Sequence, residues 1–215
     1  MKKLFIFALI FGFFNVLPAN INTFVQAEEK PKLAIVIDDF GSDRHGVEEM
    51  LNLKIPLTVA VLPGCEFTTE DAQKAHEHGH EVILHMPMEN QTYMPSSYYG
   101  PVLIKNSFSP QEAQKTINEA IDQIPNCKGL NIHMGTGVSR NPELITAIME
   151  EAKNKNIYFL DSRTIEGSVC DECAKNTGVK FYGRDVFLEP PGHPNYQTAV
   201  NQLLNAGNLA KQKGK

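Results

Sequence analysis

Six short apolar runs recur along the chain, at Leu33–Ile37, Leu57–Leu62, Glu81–His85, Gly129–His133, Ile157–Leu160 and Val179–Tyr182. Runs this short and this continuously apolar suit strands covered on both faces. Helix signals fall between them. Helices are expected from about Asp43 to Leu53, with Ser42 as a candidate cap, and from about Thr69 to Gly79. Ser109-Pro110-Gln111-Glu112 is a capping box with proline at the first helical position, opening a helix to about Ile124, where Pro125 stops it. Asn141-Pro142-Glu143 opens another to about Lys155, and a last one covers roughly Gln197 to Lys211. Strand and helix in alternation predict an α/β fold with a parallel sheet. No G-x-G-x-x-G follows the first strand, so a dinucleotide fold has no support.

Five of the runs end in polar or charged residues: Asp38 and Asp39, His85, His133, Asp161, then Arg184 and Asp185. Polar groups gathered at the C-terminal ends of parallel strands point to a barrel with its working site on one rim. Asp38 and Asp39 constrain the chemistry most. Two adjacent carboxylates repel, so a cation or hydrogen-bond donors must compensate them. Capping of a following helix accounts for one aspartate at most. One carboxylate and two imidazoles, Asp39, His85 and His133, suit zinc with one position left open for water. Bound zinc brings the pKa of such a water toward about 7. Asp38 is then the neighbouring base. The pair His76 and His80 has helical spacing, but it lies where a helix meets the third strand, at the opposite end of the barrel. It reads as surface.

The N-terminus reads as an export signal. Lys2 and Lys3 precede an apolar stretch from Leu4 to Leu17, and Val25-Gln26-Ala27 offers a cleavage site after Ala27. The apolar stretch is short for a membrane span of about 20 residues, so no lasting anchor is expected. Residues 28–215 then form one domain, exported to the periplasm or beyond. Loss of the two leader lysines leaves 18 basic against 25 acidic residues. An acidic chain without basic runs argues against nucleic acid as a partner. Cys170 and Cys173 form a C-x-x-C pair, read as a local loop disulfide or two free thiols. Cys65 and Cys127 stay unassigned.

The segments Ile37-Asp38-Asp39-Phe40-Gly41, His85-Met86-Pro87-Met88-Glu89, Asn131-Ile132-His133-Met134-Gly135, Asp161-Ser162-Arg163-Thr164 and Arg184-Asp185-Val186-Phe187-Leu188 resemble, in order and spacing, the divergent polysaccharide deacetylase family. The resemblance spans essentially the whole chain after the leader. It implies an incomplete (β/α) barrel of parallel strands, about six of them present, and a metal-dependent hydrolase that removes acetyl groups from an envelope or extracellular polysaccharide. By the resemblance Asp38 is the base and Asp39 a ligand of a divalent metal, with zinc expected. Related enzymes take two ligands from an H-x-x-x-H segment. Here the second place is Glu89, so His133 is chosen as third ligand, and Glu89 stands as a further ligand, an outer partner or a substrate contact. Arg184, Asp185 and Asp161 are expected to orient Asp38 or the substrate. Tyr93, Tyr98 and Tyr99, in the long connection after the third strand, are candidates to stack on sugar rings. Family members continue past the last helix with a strand ending in Gly-His. This chain stops at Lys211–Lys215, so a short domain with an exposed sheet edge is expected, less stable than an extended form. Gly192-His193-Pro194 is read as a chance likeness to that ending. The competing readings are a non-catalytic envelope protein that keeps the fold, and a zinc amidase acting on peptidoglycan.

Overall fold

The computed structural model describes residues 31–190, 192 and 195–214. The expected export leader and His193 lie outside them. Six strands form one sheet in sequence order, every neighbouring pair parallel. They are β1 (Val36–Phe40), β2 (Thr58–Val61), β3 (Glu81–Met88), β4 (Cys127–Met134), β5 (Tyr158–Asp161) and β6 (Phe181–Gly183). Six helices alternate with them: α1 (Val47–Leu51), α2 (Thr68–Glu77), α3 (Pro110–Ile121), α4 (Pro142–Asn154), α5 (Cys170–Thr177) and α6 (Tyr196–Lys213). The sheet is open, with β1 and β6 as its edges among the described residues. No helix of the described residues is long and apolar enough to cross a membrane.

Alternation along the strands sorts side chains onto two faces. Val59 and Val61 of β2, Val82, Leu84, Met86 and Met88 of β3, Leu130 and Ile132 of β4, and Phe159 of β5 pack into the core beneath the helices. The intervening residues, among them Ala60, Ile83, His85, Asn131 and His133, stand on the inner face. Helix starts are where the caps dictate. Ser109 accepts from the Glu112 amide while Glu112 reaches back to the Ser109 amide, and Asn141 accepts from the Glu143 and Leu144 amides.

Four expectations need correction. The first helix is only Val47–Leu51, with Gly46 as its cap; the Ser42 hydroxyl donates instead to the Asp39 carbonyl at 3.1 Å. Strand β3 runs on through Pro87 to Met88, because Pro87 pairs in register with His133 and the missing proline amide costs a parallel strand only one donor. Cys170 and Cys173 lie in the first turn of α5 rather than in a loop, and all four cysteines are free. His80 is not at the surface: it is 4% exposed, accepts from the Leu57 amide at 3.2 Å through Nδ1 and meets the Leu51 carbonyl at 3.0 Å through Nε2. It ties two loops at the end of the sheet away from the aspartates. His80→Ala is expected to lower unfolding free energy by about 2–3 kcal/mol, the cost of leaving two buried polar groups without partners, while zinc binding is unchanged. Urea denaturation and metal titration of the variant check both parts.

Candidate metal centre

Asp38 and Asp39 reach the same face of the sheet because β1 carries an extra residue. Ile37 pairs with Val59 and Phe40 with Val61, so both aspartates oppose Ala60 alone. In an even strand Asp39 would turn toward the helices. The two-against-one register is a β-bulge, which re-aims one side chain. Asp39 also has φ +68°, the left-handed region that non-glycine residues rarely adopt. That conformation costs about 1–2 kcal/mol.

Three ligand-type atoms converge at this end of the sheet, from Asp39, His85 and His133. His133 Nδ1 is 3.0 Å from His85 Nε2. Asp39 Oδ1 lies 3.3 Å from His85 Nε2 and 3.2 Å from His133 Nδ1. The outer nitrogens of both rings settle what faces inward. His85 Nδ1 meets the Asn131 side-chain oxygen at 2.7 Å, and His133 Nε2 meets the Tyr98 carbonyl at 2.7 Å. Both oxygens accept only, so both outer nitrogens carry hydrogen. In the neutral rings the inner nitrogens then present lone pairs to each other and to a carboxylate. Such a cluster needs a cation at its centre. Four ligands at about 2.0–2.1 Å in a tetrahedron stand about 3.4 Å apart, and the three observed spacings are within a few tenths of an ångström of that. The residues fit a small divalent cation. A ring nitrogen held outward by an acceptor is also the usual way a ligating histidine is oriented.

Electrostatics agree with the geometry. Burial raises the Asp39 pKa, but the hydrogen bonds and charge of His133 and His85 outweigh it and hold the carboxyl well below the ordinary range. Burial pushes the His85 pKa down, but the charges of Asp38 and Asp39 outweigh it and the result is raised.

Asn131 was not singled out by the sequence reading. Its amide nitrogen donates to Asp38 Oδ1 at 2.9 Å while its oxygen accepts from His85, so one side chain couples the second aspartate to the cluster. Its position two residues before His133 on one strand was the available signal, since i and i+2 share a face.

Most of the other predicted residues have partners of their own. Asp161 has the same parity as Phe159 and points to the helix side, where it accepts from the Arg163 amide and the Ser168 hydroxyl. Asp185 pairs with Lys213 of α6 at 2.6 Å. Arg184 donates to the Ser162 and Arg163 carbonyls and packs over Phe187; Asp38 and Asp161 are the acidic charges acting on it. Glu89 accepts from the Asn106 amide at 2.7 Å and fastens the loop after β3. Tyr99 is buried and its hydroxyl accepts from the Asn90 amide, whereas Tyr93 and Tyr98 are exposed. Tyr98 enters the site through its carbonyl, on His133.

The sequence comparisons agree with one another. A family model described as divergent polysaccharide deacetylase matches residues 35–215. The uncharacterized protein YibQ of Escherichia coli is 38% identical over 187 residues, 85% of this chain and 56% of that protein. An uncharacterized protein of Haemophilus influenzae is 33% identical over 160 residues, 74% of this chain and 55% of that one. The chain thus spans about half the length of the curated relatives it matches. The crystal structure of an uncharacterized protein from Agrobacterium tumefaciens C58 superposes with a TM-score of 0.77 at 20% identity, covering 84% of this chain and 73% of that chain. At that identity the likeness shows the fold.

The cluster predicts a distinctive pH dependence. A raised His85 pKa contributes stability to the metal-free protein that is fully present below about 6.5 and lost as pH rises through the raised value. A lowered Asp39 pKa contributes stability present above about 3.8 and lost as pH falls through the lowered value. Without metal, the cluster's contribution therefore falls as pH rises above about 6.5. A divalent metal held by His85 would compete with the same proton, so the gain in urea midpoint on adding zinc is expected to grow as pH rises from below about 6.5 through the raised His85 value. A zinc gain that does not change with pH across that range would contradict the assignment.

Proposed function

The chain belongs to the divergent polysaccharide deacetylase family, and on that premise we propose that it is a metal-dependent hydrolase removing acetyl groups from an acetylated glycan of the cell envelope. The observation that carries the reading is the convergence of Asp39, His85 and His133 on one point beside a further carboxylate, Asp38, 3.6 Å from His85 Nδ1. These three residues would hold a divalent cation, with zinc the best match to two imidazoles and a carboxylate. When bound, such an ion supplies a Lewis acid that acidifies water and polarises an acetyl carbonyl.

The chain's own residues divide the remaining work. Asp38 takes the proton of the attacking water. It is suited to this because its side chain is 41% exposed, stands 3.6 Å from His85 Nδ1 and is held by the Asn131 amide. Asn131 keeps His85 in the tautomer that leaves Nε2 free, and the Tyr98 carbonyl does the same for Nδ1 of His133. Arg184, fixed by two backbone carbonyls, places a positive charge that interacts with Asp38. The Asp39 side chain is 60% exposed, so the site lies open on the rim. An open rim suits a polymer chain better than an enclosed small molecule. Exposed Tyr93 and Tyr98 offer ring faces to sugars there. The leader before Ala27 supports action outside the cytoplasm, on envelope polysaccharide.

Asp39→Ala, His85→Ala and His133→Ala are each expected to lose stoichiometric zinc, because three protein ligands leave little redundancy. Asp38→Asn is expected to keep zinc and lose acetate release by about 100-fold or more, since it removes a base and not a ligand. Metal analysis beside acetate release from acetylated glycans checks the set. Zinc loss in Asp38→Asn equal to that in Asp39→Ala would reverse the two roles. Amine release from defined peptides without acetate release would favour a zinc amidase.

A further inference from the structure

Asp71 is a carboxylate with no exposed surface, on a helix that supplies none of the residues above. Burying a charge is costly unless it is paired and hydrogen-bonded. Its two oxygens go to the segment just past the aspartate pair. Oδ2 accepts from the Gly41 amide at 2.9 Å, and Oδ1 receives the Arg44 guanidinium. Arg44 also pairs with Glu70 at 2.6 Å and lies over the Phe67 ring at 3.9 Å, so it grips α2 from outside. Further bonds fix the same segment: the Phe67 amide donates to the Gly41 carbonyl at 3.0 Å, and the Leu62 amide to the Phe40 carbonyl at 2.8 Å. Gly41 has φ +96°, and a Cβ there would meet the Leu62 carbonyl at 3.1 Å and the Thr68 backbone at 3.2 Å. The backbone has been brought hard against the start of α2.

A left-handed aspartate persists only where its surroundings over-determine it. We propose that Asp71 and Arg44 are positioning residues that hold Asp39 in its bulged, left-handed conformation and thereby set the affinity of the metal centre. The inference rests on the metal-centre reading above. Neither residue touches the ligand atoms. They act through the Phe40–Gly41 backbone, which cannot turn without carrying Asp39 with it.

Asp71→Ala is expected to weaken zinc binding by about 10- to 100-fold, the range seen when support for a ligand is removed. The visible spectrum of the cobalt-loaded protein should change as well. Asp71→Asn should recover part of the affinity, because its amide oxygen can still accept from Gly41. Leu51→Ala, which removes a core side chain of α1, serves as a control that is destabilised without losing the clamp. It should bind zinc as the unaltered protein does. Wild-type zinc affinity and cobalt spectrum in Asp71→Ala would overturn the proposal, as would an equal loss in Leu51→Ala. If Asp71→Ala does not fold, Arg44→Gln carries the test, with several-fold weaker zinc binding expected and unchanged binding contradicting it. Amide hydrogen exchange of the metal-free protein separates this inference from the metal reading. Gly41 should lose protection selectively in Asp71→Ala, whether or not zinc binds. Unaltered Gly41 protection would sink the clamp, whereas an unaltered protein that takes up no zinc would sink the metal reading.

Discussion

In β1 the residues Asp38 and Asp39 together oppose Ala60 of β2, and the rest of the site is arranged around that two-against-one register. An even strand would place one carboxylate among the apolar side chains under the helices, where an unpaired charge is not tolerated. The extra residue brings both to the inner face and lets Phe40 return to the core beside Val61. It does so at the cost of a left-handed aspartate and a glycine that admits no side chain. The same segment is held by hydrogen bonds with Leu62 and Phe67, on the chain between β2 and α2, and with Asp71 on α2 itself. The arrangement of the aspartates and the packing of β1 thus depend on the same few backbone groups.

The second organising feature is the direction of the imidazoles. His85 and Asn131 are register partners on β3 and β4, and Pro87 partners His133 one step further along. Register alone therefore stacks two imidazoles and an amide on one face. Asn131 and the Tyr98 carbonyl then decide which ring nitrogens point inward. Because Asn131 also donates to Asp38, the group proposed to move a proton is bonded to a group that fixes a ligand. A change in charge at the cluster is felt at Asp38 through one side chain.

Much of this was legible in the sequence, for a physical reason. Buried parallel strands read as apolar runs, and a charge at their ends has nowhere else to go, so Asp39, His85 and His133 stood out. The capping box at Ser109 and the N-cap at Asn141 placed α3 and α4 because cap chemistry is local. What could not be read in advance depended on facts that are not local. Strand parity sends Asp161 toward the helices, and a lysine 28 residues away takes up Asp185. His80 looked like part of an exposed cluster, but its partners Leu51, at the end of α1, and Leu57, just before β2, are 29 and 23 residues away. α5 was missed because it is short, eight residues, and mostly polar. Asn131 was overlooked because its role lies in two partners, 46 and 93 residues distant.

The central claim is that two imidazoles and one carboxylate hold a divalent cation. X-ray absorption at the zinc edge, on protein loaded with one equivalent of zinc, tests it most directly. The account predicts a first shell of nitrogen and oxygen only, at about 2.0–2.1 Å, with the outer scattering of two imidazoles. A sulfur shell at about 2.3 Å would place the metal on cysteine instead. That result, or failure to retain zinc at all, would contradict the account.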